Sequence, residues 1–589
     1  MLLSPFLLLL AAVLPSNTAP DKASCKCRLG DPCWPSDAEF AKLASQLSQP
    51  LIHPLPPASA CYPISNPSGN CTEVLANWQN YTWHADQPGS MQSPNFETFI
   101  HKNGSIEACY GNVTLGLPCQ QGSVPVLGVD ARSLEDIQTA VKFAGEHNLK
   151  LVIKNTGHDY LGRSVARKAF MIWTHHRKNI TVHPTFTPDG APSSEVYENA
   201  ITLESGVQWH EAYDAASAAG VVLVGGVTAL GTVGAAGGWI QGGGHSALSP
   251  TYGLGVDNVV QMTAVLANGT HVTANAHQNA DLFWALRGGG GGTFGVVTSV
   301  TYQTRPTTPV IAALFKCTVN GSSSGTPPIL TSFVAELLRA APALTDAGWG
   351  GYTIAEPTDS VNSSITFLGI APNVSWEKAN ETMIPFFDRA ASVAANSSTE
   401  NGVLTITDAS TFPMDSFQAW FAQFIGSGSD QVANIILGSR LLPKDVLEQN
   451  ADEVAATLVQ LPLVQVYLVA GGAVSRKDPS SAALTPAWRK AAAHTVFGYT
   501  WPDGTNSTVI DQYVEDMKSK LDLLHSVAPD SGAYFNEASL YERDFKQTFF
   551  GSHYDELRAV KTKYDPQSLF LVPKGVASDE WDDALVCKV

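Results

Sequence analysis

Five consecutive glycines, Gly288 to Gly292, stand between a short amphipathic segment, Asp281–Arg287, and an apolar run, Phe294–Val300. Polyglycine often serves as a flexible linker, but a linker is rarely wedged between a helix and an apolar strand. Without a Cβ, backbone can approach a neighbouring group closely. A second glycine-dense segment runs from Gly231 through Gly234 and Gly238 to the triplet Gly242-Gly243-Gly244. For the polyglycine, close approach of backbone to a bound ligand is the expectation.

Around these segments the patterning alternates between strand and helix. Val124–Val129 reads as a strand, and Ser133 opens a helix with Asp136 three positions on, a capping box with Asp in place of Glu. Leu134, Ile137, Val141 and Ala144 form its apolar stripe. Lys150–Lys154 returns as a strand and completes a β-α-β unit. The run Asn155-Thr156-Gly157-His158-Asp159-Tyr160-Leu161-Gly162 then lies beyond a strand's carboxyl end, where open α/β sheets hold ligands. The pattern recurs with a strand at Ala200–Glu204, a helix from Trp209 to Ala218 and a strand at Val221–Val224. Asn268-Gly269 predicts a hairpin turn between Val259–Leu266 and Thr270–Val272. Past Thr307 the chain becomes β-rich, with strands expected at Leu461–Val474 and Ala491–Thr500.

The 589 residues are 44% hydrophobic, enough for a large core in two lobes. A net charge of −18 argues against nucleic acid or anionic membrane as partner. The apolar stretch Phe6–Leu14 is too short to span a bilayer and reads as a secretory signal, removed near Ala19. Sequons at Asn80, Asn112, Asn179, Asn268, Asn373, Asn396 and Asn506 predict N-glycans. Seven of nine cysteines fall before residue 120, and the local pairs Cys61–Cys71 and Cys109–Cys119 suit disulfides. A zinc site at Cys25, Cys27 and Cys33 lacks nearby histidines and the usual spacing. No HExxH sequence, phosphate loop or nucleophile elbow occurs, and Gly426–Asp430 reads as a loop. No metal site is expected.

The His158 run, Gly237–Gly244 and Tyr252-Gly253-Leu254-Gly255-Val256-Asp257-Asn258 together resemble the FAD-linked oxidases of the vanillyl-alcohol-oxidase superfamily, in the berberine-bridge-enzyme-like branch. The Cys-rich entry looks most like the fungal secreted isoamyl-alcohol-oxidase-like group. The resemblance implies an α+β fold: a PCMH-type FAD-binding lobe and a substrate lobe of antiparallel sheet covered by helices. The expected division is 1–19 signal peptide, 20–120 Cys-rich segment, 121–307 FAD lobe, 308–520 substrate lobe and 521–589 return segment. It further implies FAD bonded to His158 and cradled by Lys154, Asn155, Thr156, Gly157, Asp159, Gly162, Gly231, Gly234, Gly238, Gly242, Gly243, Gly244, Gly292, Gly295, Val297 and Asn536. Many relatives carry a second, cysteinyl tether at the position of Gly231, so a single covalent link, or none, is expected here rather than two. Gly234 falls where relatives gate oxygen, and it either opens that path or serves tight packing.

The resemblance implies that substrate loses hydride to flavin N5 and that O2 reoxidises the flavin, giving peroxide. Where relatives end the return segment in Asn-Tyr, this chain has Asn536-Glu537. Either Glu537 or Tyr534 is the expected base, Glu537 with a pKa raised by burial and Tyr534 on Asn536's face if the segment is extended. His494, Gln465 and Tyr467 are candidates for the pocket roof, although a core or solvent position is the commoner fate of such residues. Lys561 and Arg558 are expected on a solvated helical face. An alcohol is the first substrate class, ahead of an oligosaccharide, a secondary metabolite, or a flavin-stabilised binding role without catalysis. A monomer is the default expectation.

Overall fold

The structure, a computed structural model, describes residues 25–321, 327–357, 362–398, 400–426 and 432–589. The expected signal segment and most of the Gly426–Asp430 loop lie outside the described residues.

The first lobe opens with β1 (Leu127–Asp130), α1 (Leu134–Glu146), β2 (Leu151–Lys154) and β3 (Phe170–Trp173). Ser133 caps α1 and Asp136 closes the capping box, while Ile137, Val141 and Ala144 are buried as the stripe requires. The β-α-β unit differs in one respect from the sequence expectation. β1 and β2 do not pair with each other, because β3 lies between them and runs parallel to both. All four β3 residues are buried, and a continuous apolar run of this kind belongs at the centre of a parallel sheet. Leu51–Ile52 closes the other edge antiparallel to β1.

A second sheet holds β4 (Ile180–Phe186), β5 (Tyr197–Glu204), β6 (Val259–Val265), β7 (His271–Ala274) and β8 (Val296–Gln303), in the order β7-β6-β8-β5-β4. The Asn268-Gly269 hairpin joins β6 to β7, with Gly269 at φ +77°. Helix α2 (Trp209–Ala218) follows β5, and α3 (Ala280–Leu286) leads into the polyglycine. Val221–Val222 is the only part of its expected strand that pairs, against Arg305–Pro306.

The second lobe is a seven-stranded antiparallel sheet made from β9 (Val310–Asn320), β10 (Gly350–Pro357), β11 (Asn362–Pro372), β12 (Val403–Met414), β13 (Asn434–Pro443), β14 (Gln465–Leu468) and β15 (Ala491–Trp501), ordered β12-β9-β11-β10-β14-β15-β13. The expected Leu461–Val474 strand is thus cut to β14. Leu463 (φ 49°), Gly471 (φ 67°) and Gly472 (φ 48°) have left-handed backbone that no strand accommodates. Helices α4 (Pro328–Asp346), α5 (Trp376–Ala395), α6 (Phe417–Phe424), α7 (Lys444–Leu458) and α8 (Ser507–Val527) accompany this sheet. Phe315 and Phe367 of the sheet join Phe333 of α4 and Phe386 of α5 in one buried cluster. The opposite face, with Tyr352 and Leu368, joins the core of the first lobe. The lobes are packed through that face.

Four disulfides form: the two expected pairs, Cys61–Cys71 and Cys109–Cys119, plus Cys27–Cys33 and Cys25–Cys587. Cys317 is the free, buried ninth. No described helix is long and apolar enough to cross a membrane. Of the seven sequon asparagines named above, only Asn80 is half-buried and the other six are exposed.

Candidate functional site

A cleft with about 710 Å3 of atom-free space runs beside the carboxyl end of β2. Asn155, Thr156, Gly157, His158 and Asp159 line one side, and Gly234 and Gly238 another. Gly292, Gly295 and Val297 complete the wall from the polyglycine and β8. The two glycine segments touch there, since a Cβ on Gly291 would lie 2.9 Å from the Gly238 Cα. A Cβ on Gly238 would instead meet nothing within 4 Å, so that position faces open space. At Gly234 a Cβ would lie 2.9 Å from Asn155 Oδ1, so the absence of a side chain serves packing there.

Several expected residues lie elsewhere. Lys154 turns its buried ammonium away from the cleft, to the carbonyls of Gln87 (2.6 Å) and Pro88 (3.1 Å). Gly162 packs under Phe96 and Gly231 against His210. Gly242 leaves room for the Asn536 side chain and Gly244 for the Trp239 ring, while Gly243 faces Leu484 and Tyr534. These glycines allow close packing of protein on protein, a role the sequence cannot distinguish from ligand contact.

His158 donates or accepts through Nε2 at 2.7 Å from Thr232 Oγ1, and the Tyr81 ring meets it edge-on at 5.2 Å. Its Nδ1 has no hydrogen-bond partner among the described residues. Burial, helped by nearby His84, lowers its pKa to about 3, so the imidazole is neutral at physiological pH. Three buried oxygens of the lining, Asn155 Oδ1, Ser205 Oγ and Gln241 Oε1, also lack a partner. The backbone N–H groups of Thr156 through Asp159 make no hydrogen bond among the described residues. Orphaned polar groups at this density are what a polar ligand satisfies. Amides suit a pyrophosphate, and the oxygens suit the hydroxyls and N–H edge of a flavin nucleotide. The residues present therefore fit FAD.

Beside the cleft, Asp159 Oδ1 accepts from Arg163 Nε at 2.9 Å, and Arg163 Nη1 donates to Asn536 Oδ1 at 3.0 Å. With its oxygen so held, Asn536 donates from Nδ2 to the Tyr534 hydroxyl at 2.7 Å. The return segment is not extended here. Phe535–Glu537 forms a 3-10 turn, and so Tyr534 and Asn536 meet directly.

Glu537 sits between two histidines. Its Oε1 and Oε2 lie 3.1 and 3.2 Å from His245 Nε2, and Oε2 lies 3.0 Å from His494 Nε2. Burial alone pushes this carboxyl up, but charge and hydrogen bonds from His245 and His494 outweigh it and hold the pKa well below the ordinary range. That reverses the sequence expectation of a raised pKa. Burial and the neighbouring Glu537 carboxylate push the Tyr534 phenol well above 10, so it stays protonated. Tyr352, Tyr467 and Trp488 ring the cluster, with centroids 6.0–6.3 Å from His245.

The two imidazole nitrogens and the carboxylate lie within 4.8 Å of one another, close enough to hold a metal ion. The His245 Nδ1, however, is buried without a partner. Metal-ligating histidines are normally oriented by a hydrogen bond from the second nitrogen. The arrangement reads instead as a carboxylate accepting two N–H donors. His494 and Tyr467 thus do reach the site, while Gln465 accepts from the Tyr467 hydroxyl. His245, Arg163 and Thr232 were missed, because single polar residues in loops carry no periodic signal. Lys561, expected in solvent, is buried and bonds Asp565, Thr293 and Phe570. Arg558 is exposed as expected and pairs with Glu580.

Residues 125–275 match the family described as FAD binding domain, and residues 533–577 the family described as berberine and berberine like. An uncharacterized FAD-linked oxidoreductase of Arthroderma benhamiae is 37% identical over 585 residues, covering 97% of each chain. The chain belongs to the FAD-linked oxidoreductases of the vanillyl-alcohol-oxidase superfamily, in the berberine-bridge-enzyme-like branch. Among solved structures it is similar to the VAO-type flavoproteins MtVAO615 and MtVAO713 of Myceliophthora thermophila C1. They are 29% and 26% identical, with TM-scores of 0.83 and 0.85, and each comparison covers 96% of this chain and 100% of the other. These relatives agree with the α+β, two-lobe architecture.

Proposed function

We propose that this FAD-linked oxidoreductase is a secreted oxidase of alcohols, carrying its flavin on a single covalent bond from His158. Bound FAD would accept hydride from the substrate carbon and pass the electrons to O2, giving a carbonyl product and hydrogen peroxide. His158 suits the tether: with Thr232 Oγ1 accepting its Nε2–H, the neutral imidazole would keep its lone pair on Nδ1. Thr156–Asp159 and the orphaned oxygens of Asn155, Ser205 and Gln241 would hold the rest of the cofactor.

Glu537 is the base in this reading. It is ionised and part-exposed, whereas the Tyr534 phenol is protonated and can only donate. A carboxylate with so low a pKa takes the hydroxyl proton as the hydride departs, not before. His245 and His494 keep it oriented through both states. The observation that carries the proposal is proximity: Asp159, Arg163 and Asn536 connect the cleft to the Tyr534 hydroxyl through hydrogen bonds of 2.7–3.0 Å, and the Tyr534 ring lies edge-on, centroids 5.1 Å apart, to the His245 that holds the carboxylate.

Two measurements test it. Protein precipitated in acid should retain its yellow chromophore, and His158→Ala should release it whole; release from the wild type would reject the tether. Peroxide release across alcohols and oligosaccharides should favour alcohols. Activity on oligosaccharides alone would overturn the substrate class.

A further inference from the structure

Thr232 is fully buried, and its hydroxyl oxygen stands 2.7 Å from His158 Nε2. Its place is fixed from several sides. The turn before it, Ala229–Gly231, has left-handed backbone at both Leu230 (φ 58°) and Gly231 (φ 60°). A Cβ on Gly231 would lie 2.9 Å from the His210 backbone nitrogen, which excludes a side chain at 231. Gln208 Nε2 donates to the Thr232 carbonyl at 2.9 Å, and Trp209 N–H donates to Val233 O at 3.0 Å. The segment is thus tied to the start of α2. On the imidazole, the Tyr81 ring packs edge-on at 5.2 Å.

A neutral imidazole bears one N–H and one lone pair. Nδ1 is a nucleophile only in the tautomer whose proton sits on Nε2, and that tautomer needs an acceptor beside Nε2. Once a bond has formed at Nδ1 the requirement inverts. The neutral, substituted ring then has its lone pair on Nε2 and needs a donor there. A hydroxyl meets both demands, because its O–H rotates while the oxygen stays in place. A carboxylate or a carbonyl can only accept, and a carboxylate would also favour the charged ring. Burial acts in the same sense, since it lowers the His158 pKa to about 3 and disfavours the imidazolium.

We propose that Thr232 is a positioning residue for flavin attachment, accepting the Nε2–H of His158 before the bond forms and donating to Nε2 afterwards. The inference rests on the tether reading above and goes beyond it by naming the group that selects the reacting nitrogen. In the step itself a bond forms between Nδ1 and a methyl carbon of the flavin. That carbon loses one hydrogen and the imidazole loses its Nε2 proton. The two protons and two electrons so released end on O2, the oxidant, as hydrogen peroxide.

The test uses the full-length wild type, Thr232→Ser, Thr232→Val and His158→Ala, each produced without flavin and then incubated with FAD in air. Absorbance measures bound FAD, and flavin kept in the acid-precipitated pellet measures tethered FAD. Wild type and Thr232→Ser should tether at similar rates. Thr232→Val has nearly the same shape without the hydroxyl. It should bind FAD to the same extent and tether about ten-fold more slowly, the effect of one lost hydrogen bond. A Val variant that tethers at the wild-type rate, a Ser variant as slow as Val, or loss of FAD binding in the Val variant overturns the role of Thr232. Failure of the tether reading looks different: the wild type would bind FAD without ever tethering it, or His158→Ala would tether it.

Discussion

Glu537 is the residue on which the chemistry turns, and its setting separates charge from volume. Replacing it with Gln keeps the side-chain size and one acceptor but removes the negative charge that two imidazoles address. We expect Glu537→Gln to slow flavin bleaching by saturating alcohol by about 10²–10⁴-fold, the usual worth of a positioned base, with flavin content unchanged. Tyr534→Phe should cost less than about 10-fold, because its protonated phenol is only a donor. Stopped-flow absorbance under argon measures both, and equal losses would disprove the assignment. Because Glu537 titrates far below neutrality, its proton uptake should leave no acid limb in the rate near pH 7. Cys317 supplies a second expectation: burial pushes its thiol up to about 12, so it should resist thiol reagents in native protein and react on unfolding. His158 was legible in the sequence because a strand and two glycines frame it. His245 was not, for it follows a glycine triplet whose role in packing becomes visible only once Asn536 and Trp239 have closed on it.

Among the elements, α1 shows how one side chain can set both a helix start and the loop beside it. Asp136 Oδ2 accepts from the backbone N–H groups of Ser133 (2.9 Å) and Arg132 (3.1 Å) and from Ser48 Oγ (2.5 Å). Its Oδ1 accepts from the Ser48 N–H at 2.7 Å. Burial raises this carboxyl, but the hydrogen bonds with Ser48 and Ser133 outweigh it and the pKa is lowered. The stability it contributes is therefore present above the ordinary carboxylate range and is lost as pH falls through the folded value. Asp136→Ala should cost about 2–3 kcal/mol in denaturant unfolding, more than Ser133→Ala at about 1 kcal/mol. Parity between the two would mean that the contact with the Ser48 loop contributes nothing. This helix was readable because capping and periodicity are local. β3 and the truncation of β14 were not. The first takes its place through parallel pairing with strands on both sides, and the second ends at residues whose positive φ an apolar sequence does not announce.

At the scale of the whole chain, the two described ends are joined. Cys25–Cys587 spans a sequence separation of 562, and the intervening backbone strip is stitched into the first lobe beside it. Lys26 N–H donates to Val586 O, Lys26 Nζ to Asn148 Oδ1 and Gln567 O, and Cys27 N–H to Asn148 O. Cys61–Cys71 and Cys109–Cys119 each close a separation of only 10. Loop-closure entropy grows with the logarithm of loop length, giving about 6 kcal/mol for the long closure and about 3 kcal/mol for each short one as upper values. Removing Cys25 and Cys587 together by Ser substitution should therefore lower stability about twice as much as removing either local pair. The strip bonds the loop between α1 and β2, and β2 leads directly to His158. Fraying of the ends should then also raise hydrogen exchange at residues 148–154. A double variant that unfolds at the wild-type midpoint, with exchange at those amides unchanged, would show that the first lobe holds its cleft without the closure of the chain.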